Sequence, residues 1–131
     1  MITLDSSAVI ALFDTRDSHH AATNTALRRE RLVLLPAAAL GEIAYFVERR
    51  HGQEGVARFV RQLIADVFRI EAGVVDLPRT LELIERYADL PLGFVDAAVI
   101  ACAKRNGGRV LTSDYRHFAV VAGEGTITLV Q

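Results

Sequence analysis

Short apolar runs alternate with helical segments along the whole sequence, and this alternation restricts the fold more than any other feature. The runs predicted as strands are residues 1–4, 32–35, 68–70, 109–111 and 126–130. The run at 32–35 is apolar at every position, which is typical of a strand buried on both faces of a parallel sheet. Strands that alternate with helices indicate an α/β fold on a mainly parallel sheet, with the last strand at an edge.

The predicted helices fill most of the sequence between these strands. They are assigned to residues 8–13, 20–31, 37–51, 56–67, 76–88 and 96–105, with a break at Gly52 between the third and the fourth. In the helix at 76–88, the helical spacing of four apolar residues predicts the side that faces inward: Leu77, Leu81, Ile84 and Ala88. Residues 112–118 follow the fourth strand and are predicted as a loop.

Length and composition favour one domain, residues 1–131, because the chain has little room for a second core. Hydrophobic residues make up 51% and charged residues 24%, and the net charge of -1 gives no overall basic field for nucleic acid. The lone cysteine, Cys102, excludes a disulfide framework and a cysteine-based zinc site. The chain has no signal-like start and no apolar run of about 18 residues, so we expect no membrane span and a cytoplasmic location.

Four acidic residues lie at or near the ends of predicted strands and helices, which are positions where ligand-binding and catalytic residues are common. Asp5 and Asp114 follow predicted strands, Asp96 lies at the start of a helix, and Glu42 lies inside one. The carboxyl ends of parallel strands meet at one edge of a sheet, where ligands bind. Each aspartate by itself also fits a helix N-cap, and Glu42 also fits an exposed helical position. Both interpretations stay open at this point.

Convergence of these acids would have a chemical consequence. Carboxylates a few ångströms apart cannot all stay ionised without a counter-charge, so they take up protons or bind a cation. Oxygen ligands without cysteine or histidine select Mg²⁺ or Mn²⁺. Such an ion beside a phosphodiester can activate a water and stabilise the departing oxygen. The acids therefore point to phosphodiester hydrolysis.

Four motifs give the sequence a resemblance to a known family. They are Ile2-Thr3-Leu4-Asp5-Ser6-Ser7, Glu42 within Ala39-Leu40-Gly41-Glu42-Ile43, Gly93-Phe94-Val95-Asp96-Ala97-Ala98, and Leu111-Thr112-Ser113-Asp114-Tyr115-Arg116-His117-Phe118. In order and approximate spacing they resemble the PIN-domain nucleases. The length and layout are similar to the VapC toxins of bacterial type II toxin–antitoxin pairs, and the resemblance covers essentially the whole chain.

The resemblance implies a three-layer α/β/α sandwich, Mg²⁺- or Mn²⁺-dependent endoribonuclease activity, homodimerisation and inhibition by a cognate antitoxin. It implies a metal pocket in which Asp5 and Asp96 bind the ion, and Asp114 completes the site directly or through water. Glu42 would hold a ligand water or a second metal. The hydroxyls that would orient these carboxylates are those of Ser7 and Thr112.

The candidate RNA contacts are Arg16, Arg49 and Arg116. Arginines at helix ends also occur simply because cations suit a helix C-terminus. Tyr45, Phe46 and Tyr115 are candidates for stacking on bases. For Phe46 the favoured prediction is a position in the core.

Two other functions fit parts of the sequence. The chain could be a catalytically silent PIN-like binding module. It could also be a phosphotransfer protein with Asp5 as the phosphorylated nucleophile, a site that usually has a second acid beside the aspartate and a lysine on a late strand. Here Ser6 follows Asp5, and Lys104 lies within a predicted helix.

Overall fold

The computed structural model describes residues 1–72 and 76–130, and its centre is a five-stranded sheet. The strands are β1 (Ile2–Leu4), β2 (Val33–Pro36), β3 (Arg69–Glu71), β4 (Arg109–Leu111) and β5 (Thr128–Val130). Their order in the sheet is β3-β2-β1-β4-β5, and the four pairings between described strands are all parallel. The predicted parallel sheet and the edge position of the last strand are confirmed.

Six helices connect and cover the described strands. They are α1 (Ser6–Phe13), α2 (His20–Arg28), α3 (Leu40–Ile64), α4 (Leu77–Arg86), α5 (Phe94–Arg105) and α6 (Tyr115–Gly123), with a 3-10 turn at Ala37–Ala39 before α3. No helix in residues 1–72 and 76–130 has the length and apolar character that a membrane crossing requires.

The helices form two layers, one on each face of the sheet, because side chains alternate between the faces along every strand. Ile2 and Leu4 of β1 are fully buried against α1, α2 and α3. Val110 of β4 is buried on the opposite face, with the core residues of α4, α5 and α6. This arrangement confirms the three-layer α/β/α sandwich expected from the sequence.

Helix α4 turns a different side inward from the one predicted. Leu77 and Leu81 are 51% and 56% exposed, and Ala88 beyond the helix end is also exposed. Leu83 and Tyr87 are buried instead, and of the four residues predicted to face inward only Ile84 packs partly against the core. The apolar stripe of this helix is wider than the surface it covers, so periodicity alone does not identify the side that packs on α5.

Three further predictions are corrected by the structure. The helix predicted at 20–31 ends at Arg28, and residues 115–118, predicted as a loop, are the first turn of α6. Phe46, predicted as core, is 37% exposed on α3. The predicted break at Gly52 is present as a kink, with φ 65° and ψ -162°, inside the span of α3.

Candidate functional site

The candidate acids lie at the carboxyl edge of the sheet, where its central strands end. Asp5 follows β1 directly, and its backbone N–H donates to the carbonyl of Leu111 at the end of β4, at 3.0 Å. Asp114 lies three residues beyond Leu111 and begins α6. Glu42 lies in the first turn of α3, which follows β2, the other neighbour of β1. Neighbouring parallel strands therefore bring three of the acids to one edge.

The carboxylate of Asp5 is buried and held by three hydrogen bonds to one oxygen, Oδ2. The donors are the Ser7 backbone N–H at 3.3 Å, the Ser7 hydroxyl at 2.7 Å and the Thr112 hydroxyl at 2.9 Å. The bond from the Ser7 backbone makes Asp5 the N-cap of α1. The cap interpretation is thus correct for Asp5, but capping uses only one of the three donors.

The two hydroxyls also receive hydrogen bonds from the loop after β4. The N–H of Ser113 donates to the Ser7 hydroxyl at 3.0 Å, and the N–H of Asp114 donates to the Thr112 hydroxyl at 2.9 Å. A hydroxyl has one proton to donate and lone pairs to accept, so each can serve Asp5 and an amide together. This network fixes the orientation of Asp5 and ties Asp114 to it.

Asp114 and Asp96 approach each other through a histidine. The Nδ1 atom of His117 lies 3.5 Å from Oδ2 of Asp96 and 3.8 Å from Oδ2 of Asp114. Asp114 also caps α6, since its Oδ1 accepts from the Arg116 backbone N–H at 3.2 Å. Asp96 is in the first turn of α5, but the N-cap of that helix is Gly93. The cap interpretation is therefore wrong for Asp96.

His117 is not among the site residues predicted from the sequence. Its signal was its position three residues after Asp114, which places the two side chains on the same side of a helix. That spacing had no meaning while residues 115–118 were interpreted as a loop, so the missed helix and the missed histidine have one cause.

Negative charge is unfavourable at this edge. The pKa of Asp96 is raised to about 6, chiefly by burial and then by the charges of Asp5 and Asp114, while His117 acts in the opposite direction. Burial also raises the pKa of Asp5, although its hydrogen bonds from Ser7 and Thr112 act in the opposite direction. Neighbouring carboxylates with raised pKa values are what a cation would stabilise in the ionised form.

The donor set suits a hard divalent cation that keeps part of its water. Among residues 1–72 and 76–130, no three His, Cys, Asp or Glu side chains form a closed metal-binding group. The charges of Asp5 and Asp114 act on Asp96, so the three carboxylates are close enough to interact, although in the described residues they form no such closed group. The buried Nδ1 of His117 has no hydrogen-bond partner in the described structure. Oxygen ligands with room for water are the environment that Mg²⁺ prefers, so the residues present fit such an ion.

Glu42 is the least connected of the four predicted acids. It is half-buried at the start of α3. In the part of the chain that the structure describes, no hydrogen bond or ion pair links Glu42 to the residues that connect the three aspartates, which are Ser7, Thr112 and His117. The structure thus places Glu42 at the same edge of the sheet and leaves it outside the network of the three aspartates.

The predicted RNA contacts lie in three separate places. Arg16 is exposed and pairs with Asp14 at 3.6 Å. Arg116 is exposed in the first turn of α6, next to the aspartates. Arg49 is exposed on α3 and donates to the Tyr45 hydroxyl at 3.1 Å.

Comparison with known families agrees with this architecture. The family model for the PIN domain matches residues 2–124, which include all four candidate acids. The chain belongs to the PIN domain family. The resemblance to VapC-type PIN nucleases described from the sequence is thereby confirmed.

Two individual proteins illustrate the relationship of this PIN domain. Ribonuclease VapC26 from Mycobacterium tuberculosis is 29% identical over 133 residues, which cover 97% of this chain and 98% of the relative. A solved structure of VapC20 from the same species, described as a toxin that cleaves the sarcin-ricin loop, superposes with a TM-score of 0.81. That superposition covers 92% of this chain and 95% of VapC20 at 24% identity, so it shows a shared fold.

Proposed function

We propose that this PIN-domain protein is a Mg²⁺- or Mn²⁺-dependent endoribonuclease that acts as the toxin of a toxin–antitoxin pair. The observation that carries the proposal is the cluster of Asp5, Asp96 and Asp114 at the carboxyl edge of the sheet, with the pKa of Asp96 raised to about 6. Similarity to a ribonuclease over nearly the whole chain supports the choice of RNA as substrate.

Each acidic residue has a distinct part in the proposal. Asp5 and Asp96 would hold the metal ion, Asp114 would complete the site directly or through water, and Glu42 would hold a ligand water or a second ion. A bound divalent cation lowers the pKa of an attacking water and stabilises the oxygen that leaves.

The remaining side chains keep the acids in place. Ser7 and Thr112 occupy Oδ2 of Asp5 with hydroxyl donors, which fixes the direction in which the other oxygen points. Arg116 lies beside the aspartates and, with Arg16, would contact the RNA backbone, because phosphates are bound chiefly by arginine and lysine.

Cleavage of a small-RNA pool by the purified protein tests the proposal. Reactions contain Mg²⁺ or Mn²⁺, or EDTA, with the Asp96→Asn variant and an Asp89→Asn control run alongside. Asp89 is an exposed acid in the turn after α4. We expect discrete products from wild type and Asp89→Asn that disappear with EDTA and with Asp96→Asn. Full activity of Asp96→Asn would overturn the assignment.

A silent binding module remains the second candidate because the described acids form no closed metal-binding group. In that case the folded protein would bind RNA but neither Mn²⁺ nor Mg²⁺, and it would cleave nothing. The phosphotransfer alternative lacks such support: Asp5 is 4% exposed, and its Oδ2 already accepts three hydrogen bonds.

The proposal also includes protein partners and a location. We propose that residues 1–131 act as one domain in the cytoplasm, that two copies form a homodimer, and that a cognate antitoxin inhibits them. Exposed apolar side chains support such contacts: Ile64 at the end of α3, and Leu77 and Leu81 on α4.

A further inference from the structure

Two aromatic side chains and an arginine lie exposed on the first half of α3. Tyr45 is 53% exposed and Phe46 is 37% exposed. Their rings meet edge to face, with centroids 5.4 Å apart and planes at 75°. The guanidinium of Arg49 lies 5.9 Å from the centre of the Tyr45 ring and donates to its hydroxyl. We call these three residues the α3 platform.

The α3 platform begins one helical turn after Glu42. Tyr45 and Phe46 are three and four residues beyond Glu42, and Arg49 is seven residues beyond it. Residues at these intervals share one side of a helix, and one turn advances about 5 Å. The platform therefore extends from the acidic edge of the sheet along the same side of α3.

The charge of the α3 platform suits an anionic partner. Across residues 1–72 and 76–130, no carboxylate forms an ion pair with Arg49; the arginines that are paired are Arg16, Arg79, Arg86, Arg105 and Arg109. The next residue, Arg50, is also exposed and without such a partner in the described structure. Exposed rings beside unneutralised guanidinium groups match a nucleotide, which has a flat base and a charged phosphate.

We propose that the α3 platform binds an unpaired base of the RNA substrate, next to the phosphate that enters the acidic site. The base stacks on the exposed face of Tyr45, Phe46 supports that ring through their edge-to-face contact, and Arg49 contacts the adjacent phosphate. Stacking needs a base that is free of its helix, so the platform selects single-stranded or looped RNA over duplex RNA. This inference rests on the proposed function and adds the residues that hold a base next to the cleaved phosphate.

Binding of a short fluorescent oligoadenylate, measured by anisotropy in EDTA so that no cleavage occurs, tests the platform. Tyr45→Ala should weaken binding by about 5- to 150-fold, the range for removal of one stacking ring. Phe46→Ala should weaken it by less, because it removes only the support of that ring. Tyr45→Phe keeps the ring and should bind as wild type does. Val60→Ala, at a position 44% exposed in the second half of α3, is the matched control and should have no effect.

Two further measurements separate stacking from charge. The same oligonucleotide with abasic sites should bind wild type as weakly as intact RNA binds Tyr45→Ala. Arg49→Ala should reduce the slope of log affinity against log salt by about 0.7, the value for one phosphate contact on a single strand. Arg61→Ala on the same helix should leave this slope unchanged.

Unchanged affinity in both Tyr45→Ala and Phe46→Ala would overturn the platform, as would equal losses on intact and abasic RNA. A changed molecular mass with unchanged RNA affinity would also overturn it, because the surface would then join two copies of the chain. Metal-dependent cleavage by wild type is measured in parallel. Its absence would overturn the proposed function, whereas cleavage without a stacking effect would overturn the platform alone.

Discussion

At the scale of single residues, the hydroxyl of Thr112 joins three parts of the site. It donates to Oδ2 of Asp5, accepts from the backbone N–H of Asp114 and lies 3.0 Å from the Ser7 hydroxyl. Removing it leaves a buried carboxylate with one donor fewer and a backbone N–H without its acceptor. Unsatisfied buried groups cost more than the hydrogen bond itself contributes.

Thr112→Val should therefore lower the free energy of unfolding by about 1–3 kcal/mol, measured by urea denaturation. Thr3→Val is the matched control, because its buried hydroxyl has only a long contact of 3.9 Å with the sulfur of Cys102. We expect Thr3→Val to lower the free energy of unfolding by clearly less than Thr112→Val does. Equal losses in the two variants would mean that the network around Asp5 contributes nothing specific.

The raised pKa of Asp96 predicts a pH-dependent stability. Its unfolded-state pKa is 3.8 and its folded-state pKa is about 6, so between these values the folded state binds more protons than the unfolded state. The metal-free protein should therefore lose stability as pH rises from about 3.8 to about 6 and then level off. The shift corresponds to about 3 kcal/mol, which solvent at this half-buried position reduces to about 1–2 kcal/mol.

Asp96→Asn should remove this loss. In EDTA at pH 8, we expect the variant to be more stable than wild type, and the difference should shrink below pH 4. Urea denaturation at several pH values checks both statements. A variant that is less stable than wild type at pH 8 would show that the Asp96 carboxylate stabilises the metal-free fold.

Position along the chain was enough to predict that two of the aspartates lie at the same edge of the sheet. Asp5 and Asp114 follow strands that pair with each other, and a parallel sheet brings such ends to one edge. The contact of His117 with Asp96 could not be predicted in the same way, because it joins two helices that are distant in sequence. A single sequence contains no signal for such a contact.

At the scale of elements, Gly52 determines the course of α3. Its φ of 65° with ψ of -162° lies in a region that is essentially restricted to glycine. A Cβ atom there would meet no other atom within 4 Å, so a substitution would cost backbone strain and nothing else. The kink lets the two halves of the helix follow the core in different directions.

Gly52→Ala should lower the free energy of unfolding by about 1–3 kcal/mol. Gly41→Ala is the matched control on the same helix: it also has open space around the Cβ position, but its φ is not positive. Alanine at position 41 should raise the free energy of unfolding by about 0.5–1 kcal/mol, because glycine loses more conformational freedom on folding than alanine does. Thermal or urea denaturation measures the free energy of unfolding of both variants. An unchanged free energy of unfolding in Gly52→Ala would contradict the proposed backbone strain at this position.

Helix boundaries were predictable where local chemistry defines them. Asn106-Gly107-Gly108 ends α5, and both glycines have positive φ values that suit a helix end. The inward side of α4 was not predictable, because Leu77, Leu81, Leu83 and Tyr87 all lie within one broad apolar stripe. Packing on α5 selects Leu83 and Tyr87, and that selection depends on tertiary structure.

At the scale of the whole molecule, the alternation of strands and helices was sufficient to predict three layers and a parallel sheet. The strand order was not, because it depends on which way each helix crosses the sheet. Partners are also a property of this scale. The exposed side chains of Leu77, Leu81 and Phe94 line an almost entirely apolar surface with Ile84, which we expect to join the two copies of the proposed homodimer.

Leu81→Glu should therefore convert the dimer to a monomer, since a charge in an apolar contact is costly. Light scattering after size exclusion measures the mass. Val120→Glu on α6, at a position 45% exposed, is the control and should leave the dimer intact. A wild-type protein that is monomeric at every concentration, or a dimeric Leu81→Glu, would contradict this surface.

Binding of Mn²⁺, followed by titration calorimetry, tests the central claim most directly. The claim is that aspartates from separate elements, Asp5, Asp96 and Asp114, hold one divalent cation at the carboxyl edge of the sheet. The account predicts that wild type and Asp89→Asn bind Mn²⁺ alike and that Asp96→Asn binds it more than about tenfold more weakly. Equal binding by wild type and Asp96→Asn, with both proteins folded, would contradict the claim.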